Sequence, residues 1–132
     1  MIRIVLDTNV LVSALLTDGH PAAIVNLAAE KKLIPVYNDL IITEYWEVLK
    51  RPKFGFRPSQ VSRLMDDIVK TGIAAETETS SNILMADETD RKFYDAAKAS
   101  LAYLITGNIK HFPRESFIVT SSDFLKMYQT TN

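Results

Sequence analysis

Strand-like and helix-like segments alternate along this chain, and no strand candidate follows another closely enough to close a tight hairpin. Short turns join antiparallel neighbours, whereas parallel neighbours need a long crossover, commonly a helix. The alternation therefore predicts an α/β fold with a parallel sheet.

The segments can be placed from their apolar spacing. Residues 2–6 read as a first strand, and Thr8 or Asn9 can cap a helix carrying Val10, Leu11, Ala14 and Leu15, with Gly19 closing that region. Pro21 suits the first turn of a second helix with Ile24, Leu27 and Ala28 inside. Residues 33–37 form a second strand, in which Pro35 marks a start or an edge. Asn38 or Asp39 caps a third helix, which buries Ile41, Tyr45, Val48 and Leu49 and leaves Glu44, Glu47 and Arg51 on a polar stripe.

Pro52, Gly55 and Pro58 break that helix, and Val61, Leu64, Met65 and Ile68 mark the next, with Gly72 as a left-handed cap. Residues 76–82 read as a polar surface loop, and 73–75 and 83–85 compete for one short strand. Asp90 can cap a helix with Phe93, Ala97 and Leu101 inside. Residues 103–106 and 117–119 are the last strands, and Ser121 or Ser122 opens a terminal helix.

With 132 residues, 47% of them hydrophobic, the chain is expected to fold as one domain over residues 1–132. Fifteen Lys and Arg against sixteen Asp and Glu give no overall basic field, so a polyanion would have to meet a local patch. The absence of cysteine excludes disulfides, thiolate zinc sites and cysteine nucleophiles. With no signal-peptide core and no apolar run of membrane-spanning length, the expectation is a cytoplasmic protein without a membrane partner.

In a parallel sheet the loops leaving the strand C-termini share one edge, where ligands bind. Asp7 follows the first strand and Asn108 the strand at 103–106. Glu44 lies about two turns into the helix after the second strand and can reach the Asp7 edge by that connection, whereas Asp90 opens the helix that runs back towards the strand at 103–106 and reaches the edge only if its preceding loop passes over it. Like charges at about 4 Å cost on the order of 4 kcal/mol at an effective dielectric near 20. Three gathered carboxylates therefore imply a bound cation or a raised pKa on one acid. The candidate ligands are all oxygens, and His20 and His111 lie far apart, so the ion would be Mg2+ or Mn2+ rather than zinc.

Four segments carry a family resemblance: Leu-Asp-Thr-Asn-Val-Leu-Val-Ser at the start, Ile-Thr-Glu-Tyr-Trp-Glu-Val-Leu-Lys-Arg-Pro-Lys-Phe around Glu44, Asp-Glu-Thr-Asp-Arg-Lys-Phe-Tyr-Asp-Ala-Ala, and Leu-Ile-Thr-Gly-Asn-Ile-Lys-His-Phe-Pro. Together, and in this order, they resemble the PIN-domain family, and more narrowly its VapC-like branch of toxin components from toxin-antitoxin systems. The resemblance implies a three-layer α/β/α sandwich with a central, mainly parallel sheet. It also implies an Mg2+- or Mn2+-dependent endoribonuclease in which a metal-activated water attacks the phosphodiester. Asp7, Glu44 and Asp90 match the family's acidic metal positions, and Asn108 takes the fourth catalytic position, often Asp in relatives. An amide oxygen brings no charge there, which favours one resident ion over two. Asn9 and Thr106 would support the ligands, and an antitoxin and a homodimer are the implied protein partners.

Each residue also has an ordinary reading. Asp7 and Asp90 can be helix caps, Glu44 a solvated helix residue beside a Glu47–Arg51 pair, and Asn108 a turn residue. Asp87 rivals Asp90. Lys50, Arg51, Lys53 and Arg57 interleave with Phe54 and Phe56, which suits either RNA contact or a solvated loop. His20, His111 and Trp46 stay outside the expected site.

Two other functions compete. A catalytically weak or inactive PIN module would bind RNA or protein without cutting. A receiver-type phosphoacceptor domain would need paired acids after the first strand and a lysine after a late one. Here Thr8 and Asn9 follow Asp7, and Thr120, Ser121 and Ser122 follow Val119. No phosphate-cradling glycine motif is present.

Overall fold

The computed structural model describes residues 1–75 and 82–131. Strand β1 (Arg3–Leu6) leads into α1 (Thr8–Leu16) and α2 (His20–Ala29), then β2 (Ile34–Tyr37), α3 (Asp39–Leu49), α4 (Pro58–Thr71) and the short β3 (Ile73–Ala74). After a gap come α5 (Arg91–Ala99), β4 (Tyr103–Ile105), β5 (Ile118–Val119) and α6 (Ser121–Thr131). The five strands form one sheet in the order β3-β2-β1-β4-β5, and each neighbouring pair is parallel. Helices cover it to give the expected three-layer α/β/α arrangement, with α5 packed on β1, β2 and β4 and α4 on β2. Receiver domains place their strands 2-1-3-4-5, so this order argues against the phosphoacceptor alternative.

Burial explains the strand signals. Ile4, Val5 and Leu6 are all buried, as the middle strand of a sheet covered on both faces requires, and this is why they form a continuous apolar run. In α4, Val61, Leu64, Met65 and Ile68 recur at helical spacing and are the buried residues of that helix. Asn38 caps α3 as expected, accepting from the Ile41 amide at 2.9 Å. Among the described helices none is alone long and apolar enough to cross a membrane. The apolar pair α1 and α2 meets at 101°.

Several local expectations are corrected. Pro35 lies neither at a strand start nor at an edge, because β2 pairs with both β1 and β3. Ile34 donates to the Ile2 carbonyl of β1 at 3.0 Å, so the alternation of the strand turns position 35 towards β3. The partner on that side begins only opposite Val36, and the missing N–H therefore breaks no ladder bond.

Gly72 is extended (φ −98°, ψ −178°), not left-handed. A Cβ there would sit 2.5 Å from the carbonyl oxygens of both Ile68 and Pro35, so glycine serves close approach rather than a special φ. Leu101 is 90% exposed. It follows the end of α5 with φ 52°, which turns its side chain away from the core. Residue Asp7, rather than Thr8 or Asn9, occupies the N-cap position of α1. Asp90 makes no capping bond to α5, while Asp87 caps the three-ten turn Glu88–Asp90 by accepting from the Thr89 amide at 2.9 Å. Residues 73–74 supply the short strand and 83–85 are irregular. Of the polar loop expected at 76–82, residues 76–81 lie outside the described residues.

Candidate functional site

Asp7 stays in register with the sheet after β1 ends, its amide donating to the Ile105 carbonyl at 3.0 Å. The carboxylate is thus held at the C-terminal edge of the sheet, between the ends of β1 and β4. It makes no capping bond to the first turn of α1. Instead Thr106, fully buried at the end of β4, donates to Asp7 Oδ2 at 2.7 Å. The same hydroxyl accepts from the Asn108 amide at 3.0 Å.

Burial pushes the Asp7 carboxyl above its ordinary value of 3.8. The Thr106 hydrogen bond opposes this, the Glu44 charge adds to it, and the nearby amides of Thr8 and Asn9 oppose it again.

Glu44 arrives from α3. Its neighbour Tyr45 is buried and donates to the Leu6 carbonyl at 2.5 Å, pinning that helix to the last residue of β1. Burial, with the charges of Asp7 and Glu44, pushes the Tyr45 hydroxyl well above the usual phenol range, so it remains a donor. Glu44 Oε2 accepts from the Thr8 hydroxyl. Glu44 Oε1 pairs with Lys92 Nζ at 2.8 Å.

Asp90 closes the three-ten turn ahead of α5 and is half-buried. Its carboxyl is raised to about 6, first by burial and then by the charges of Asp7 and Asp87. His111, 4.0 Å away, lowers it, and Glu44 raises it further. Asn108 turns its side-chain nitrogen towards His111, 3.1 Å from both ring nitrogens. Asn9 is exposed and makes no side-chain hydrogen bond among the described residues, so the contact expected of it is made by its neighbour Thr8.

The topology therefore brings the three acids to one edge, where the charge of Glu44 acts on Asp7 and the charges of Asp7 and Glu44 act on Asp90. Among the described residues, however, no three His, Asp or Glu side chains converge closely enough to hold a metal ion. Glu44 and Lys92 face a cleft of about 860 Å3 between α3 and α5, which Thr43, Val48, Arg51 and Asp95 also line.

The basic stretch has a mixed character. Lys50 lies 4.7 Å from the centroid of the Trp46 ring, Lys53 lies 5.0 Å from that of Phe54, and Phe54 stacks on Phe56 at 5.5 Å. Arg51 pairs with Glu47 at 3.8 Å. All four cations, Arg57 included, are exposed, while both phenylalanines pack partly against the core.

Three participants were not foreseen: Thr8, Lys92 and His111. Thr8 and Lys92 stand next to recognised motif residues, at one and two positions from Asp7 and Asp90, and His111 is one turn beyond Asn108. Nothing in the linear pattern says which of them turns inward.

Comparison with known proteins places this geometry in a family. The chain is 29% identical over 111 residues to an uncharacterized protein of Methanocaldococcus jannaschii, an alignment spanning 81% of this chain and 71% of that protein. No solved structure matches it. The family model described as PIN domain matches residues 3–110, which takes in Asp7, Glu44, Asp90 and Asn108, and the chain belongs to the PIN-domain family.

Proposed function

We propose that residues 1–132 form one PIN domain acting as a metal-dependent endoribonuclease with a single Mg2+ or Mn2+ ion. The observation that carries this reading is the gathering of three acids from distant parts of the chain at one sheet edge, where the Glu44 charge helps raise the Asp7 carboxyl and the charges of Asp7 and Glu44 help raise that of Asp90. Burial leads both shifts and the neighbouring like charges add to it, so a divalent ion at this edge would relieve them.

The donor set fits a hard divalent ion, since Asp7, Glu44 and Asp90 offer only carboxylate oxygens. Such an ion would supply Lewis acidity towards a phosphate and an acidified water. The chain's own residues do the positioning. Thr106 orients Asp7, the Tyr45 anchor sets the depth of Glu44, and the turn at Glu88–Asp90 presents Asp90. Asn108 has its backbone fixed to Thr106, which keeps this residue beside Asp7. Lys50, Arg51, Lys53 and Arg57 are the proposed contacts to RNA phosphates, with Phe54 and Phe56 as a stacking surface.

The VapC-like resemblance supports a toxin role in the cytoplasm, with an antitoxin that covers the acidic edge and a homodimer as the working form. A second reading is a PIN module that binds RNA or protein without cutting. The turn of the Asn108 amide towards His111 favours it.

The deciding experiment compares RNA cleavage by the wild type and Asp7→Asn in Mn2+, Mg2+ and chelator. Loss of cleavage in the variant and in chelator, with the circular dichroism spectrum unchanged, supports the nuclease. Equal cleavage by both proteins overturns it, and RNA binding without cleavage in any condition favours the second reading.

A further inference from the structure

Lys92 is on the first turn of α5, two residues after Asp90, and its side chain is only 14% exposed. An ammonium is strongly hydrated, so withdrawing one from water requires strong replacement contacts. Three are present. Lys92 Nζ pairs with Glu44 Oε1 at 2.8 Å, donates to the Thr89 carbonyl and lies 5.0 Å from the centroid of the Phe93 ring. Phe93 is itself fully buried and stacks with Tyr45 at 6.4 Å, so this ammonium rests on the rigid α3–α5 contact.

The consequence for Glu44 is specific. One of its oxygens is engaged by Lys92 and the other by the Thr8 hydroxyl, so protein donors already serve both. Among the described residues Asp7 and Asp90 have no comparable cation: Thr106 gives Asp7 a neutral hydroxyl, and His111 stands 4.0 Å from Asp90. The third carboxylate is thus drawn to a cation tethered to the chain.

We propose that Lys92 is a built-in competitor for the divalent ion, so that loading the site requires the ion to displace its ammonium from Glu44 into the α3–α5 cleft. The inference rests on the metal-site reading above. Its chemistry favours a divalent ion over a monovalent one. Exchanging an ammonium for Na+ or K+ adds no charge between Asp7 and Asp90, whereas exchanging it for Mg2+ or Mn2+ adds one. It also makes ion affinity sensitive to anything that draws Lys92 away. A substrate phosphate in the cleft would pair with the ammonium and free Glu44, so phosphate and ion would bind cooperatively.

The test is Mn2+ titration calorimetry on the intact protein, comparing the wild type with Lys92→Met, which keeps the apolar stem over Phe93, and with Lys92→Gln. Lys110→Met, which removes an exposed cation near the same edge, reports on the general field. The expected result is about tenfold tighter Mn2+ binding in both Lys92 variants, against a change within about twofold for Lys110→Met. In the wild type, Mg2+ should also shift the side-chain methylene NMR signals next to Nζ of Lys92 and leave those of Lys98 in place. Wild-type binding that the Lys92 variants match or weaken, or tightening by Lys110→Met equal to theirs, overturns the competitor and leaves the metal site standing. Absence of Mn2+ binding in every protein overturns both. Should the Lys92 variants fail to fold, the NMR titration decides, and a Lys92 signal unmoved at saturating Mg2+ overturns the proposal.

Discussion

Thr106 Oγ1 and Asp7 Oδ2 meet at 2.7 Å although 99 positions separate the two residues. The hydroxyl is fully buried, and it bonds in two directions, donating to the carboxylate and accepting from the Asn108 amide at 3.0 Å. One side chain therefore couples the end of β1, the end of β4 and the loop that carries Asn108.

Thr106→Val keeps the shape of that residue and removes both bonds. A buried carboxylate and a backbone amide each lose a partner, for which a cost of about 1–3 kcal/mol is expected in urea denaturation near neutral pH. Because Thr106 lowers the Asp7 pKa, the variant should also shift the acid limb of the cleavage profile to higher pH. A stability within a few tenths of a kcal/mol of the wild type would show that the bond contributes nothing net.

Asp90 predicts a pH dependence in the metal-free protein. Its carboxyl is raised from 3.8 to about 6, so the folded chain holds this proton more tightly than the unfolded chain does. Its contribution is therefore most favourable below about pH 4, falls as pH rises through the window from about 4 to 6, and is fully unfavourable above it. Asp90→Asn removes that penalty. In chelator the variant should melt higher than the wild type at about pH 7.5, and the gap should close towards about pH 4. Adding Mn2+ at the higher pH should raise the wild-type melting temperature and leave that of the variant in place.

Gly72→Ala tests the contact between α4 and β2. Its Cβ would meet two backbone carbonyl oxygens at 2.5 Å, and backbone cannot swing aside as a side chain can. A loss of about 3 kcal/mol is expected from the denaturation midpoint, at the upper end of the usual overpacking range. Gly107→Ala is the matched control, since nothing lies within 4 Å of its added carbon, and it should cost far less.

The basic stretch predicts a change in salt dependence. If Lys53 and Arg57 each neutralise one phosphate of single-stranded RNA, replacing both with Ala should flatten the plot of log binding constant against log salt by about 1.4. Filter binding in the Asp7→Asn background, which is expected not to cut, measures it. An unchanged slope would assign these exposed cations to solvent.

The parts of the fold that follow local rules were legible in the residues. The continuous apolar run at Ile4–Leu6, the spacing of Val61, Leu64, Met65 and Ile68, and the Asn38 cap each report an environment that their own neighbours specify. The misreadings share a different cause. Gly72 is set by a carbonyl of β2 across the sheet, Pro35 by where its partner strand begins, and Leu101 by a backbone reversal after α5. None of these is visible within a turn of sequence. The site divides in the same way. Asp7 is marked by polarity at a strand end, and Glu44 and Asp90 by the segments around them. The orientation of Glu44 depends on Lys92 and Thr8, 48 and 36 residues away, and no helical or strand periodicity encodes that.

The middle position of β1 has an outcome for biosynthesis. Its neighbour on one side, β2, follows within a few dozen residues, but the other, β4, ends only at Ile105. Until the ribosome has released that segment, the nascent chain carries an open hydrogen-bonding border at β1 and an Asp7 whose hydroxyl partner has yet to be made. A product that stops short of Ile105 would lack both, so Asp7 takes up its place at the sheet edge only after the segment that carries Thr106 has emerged.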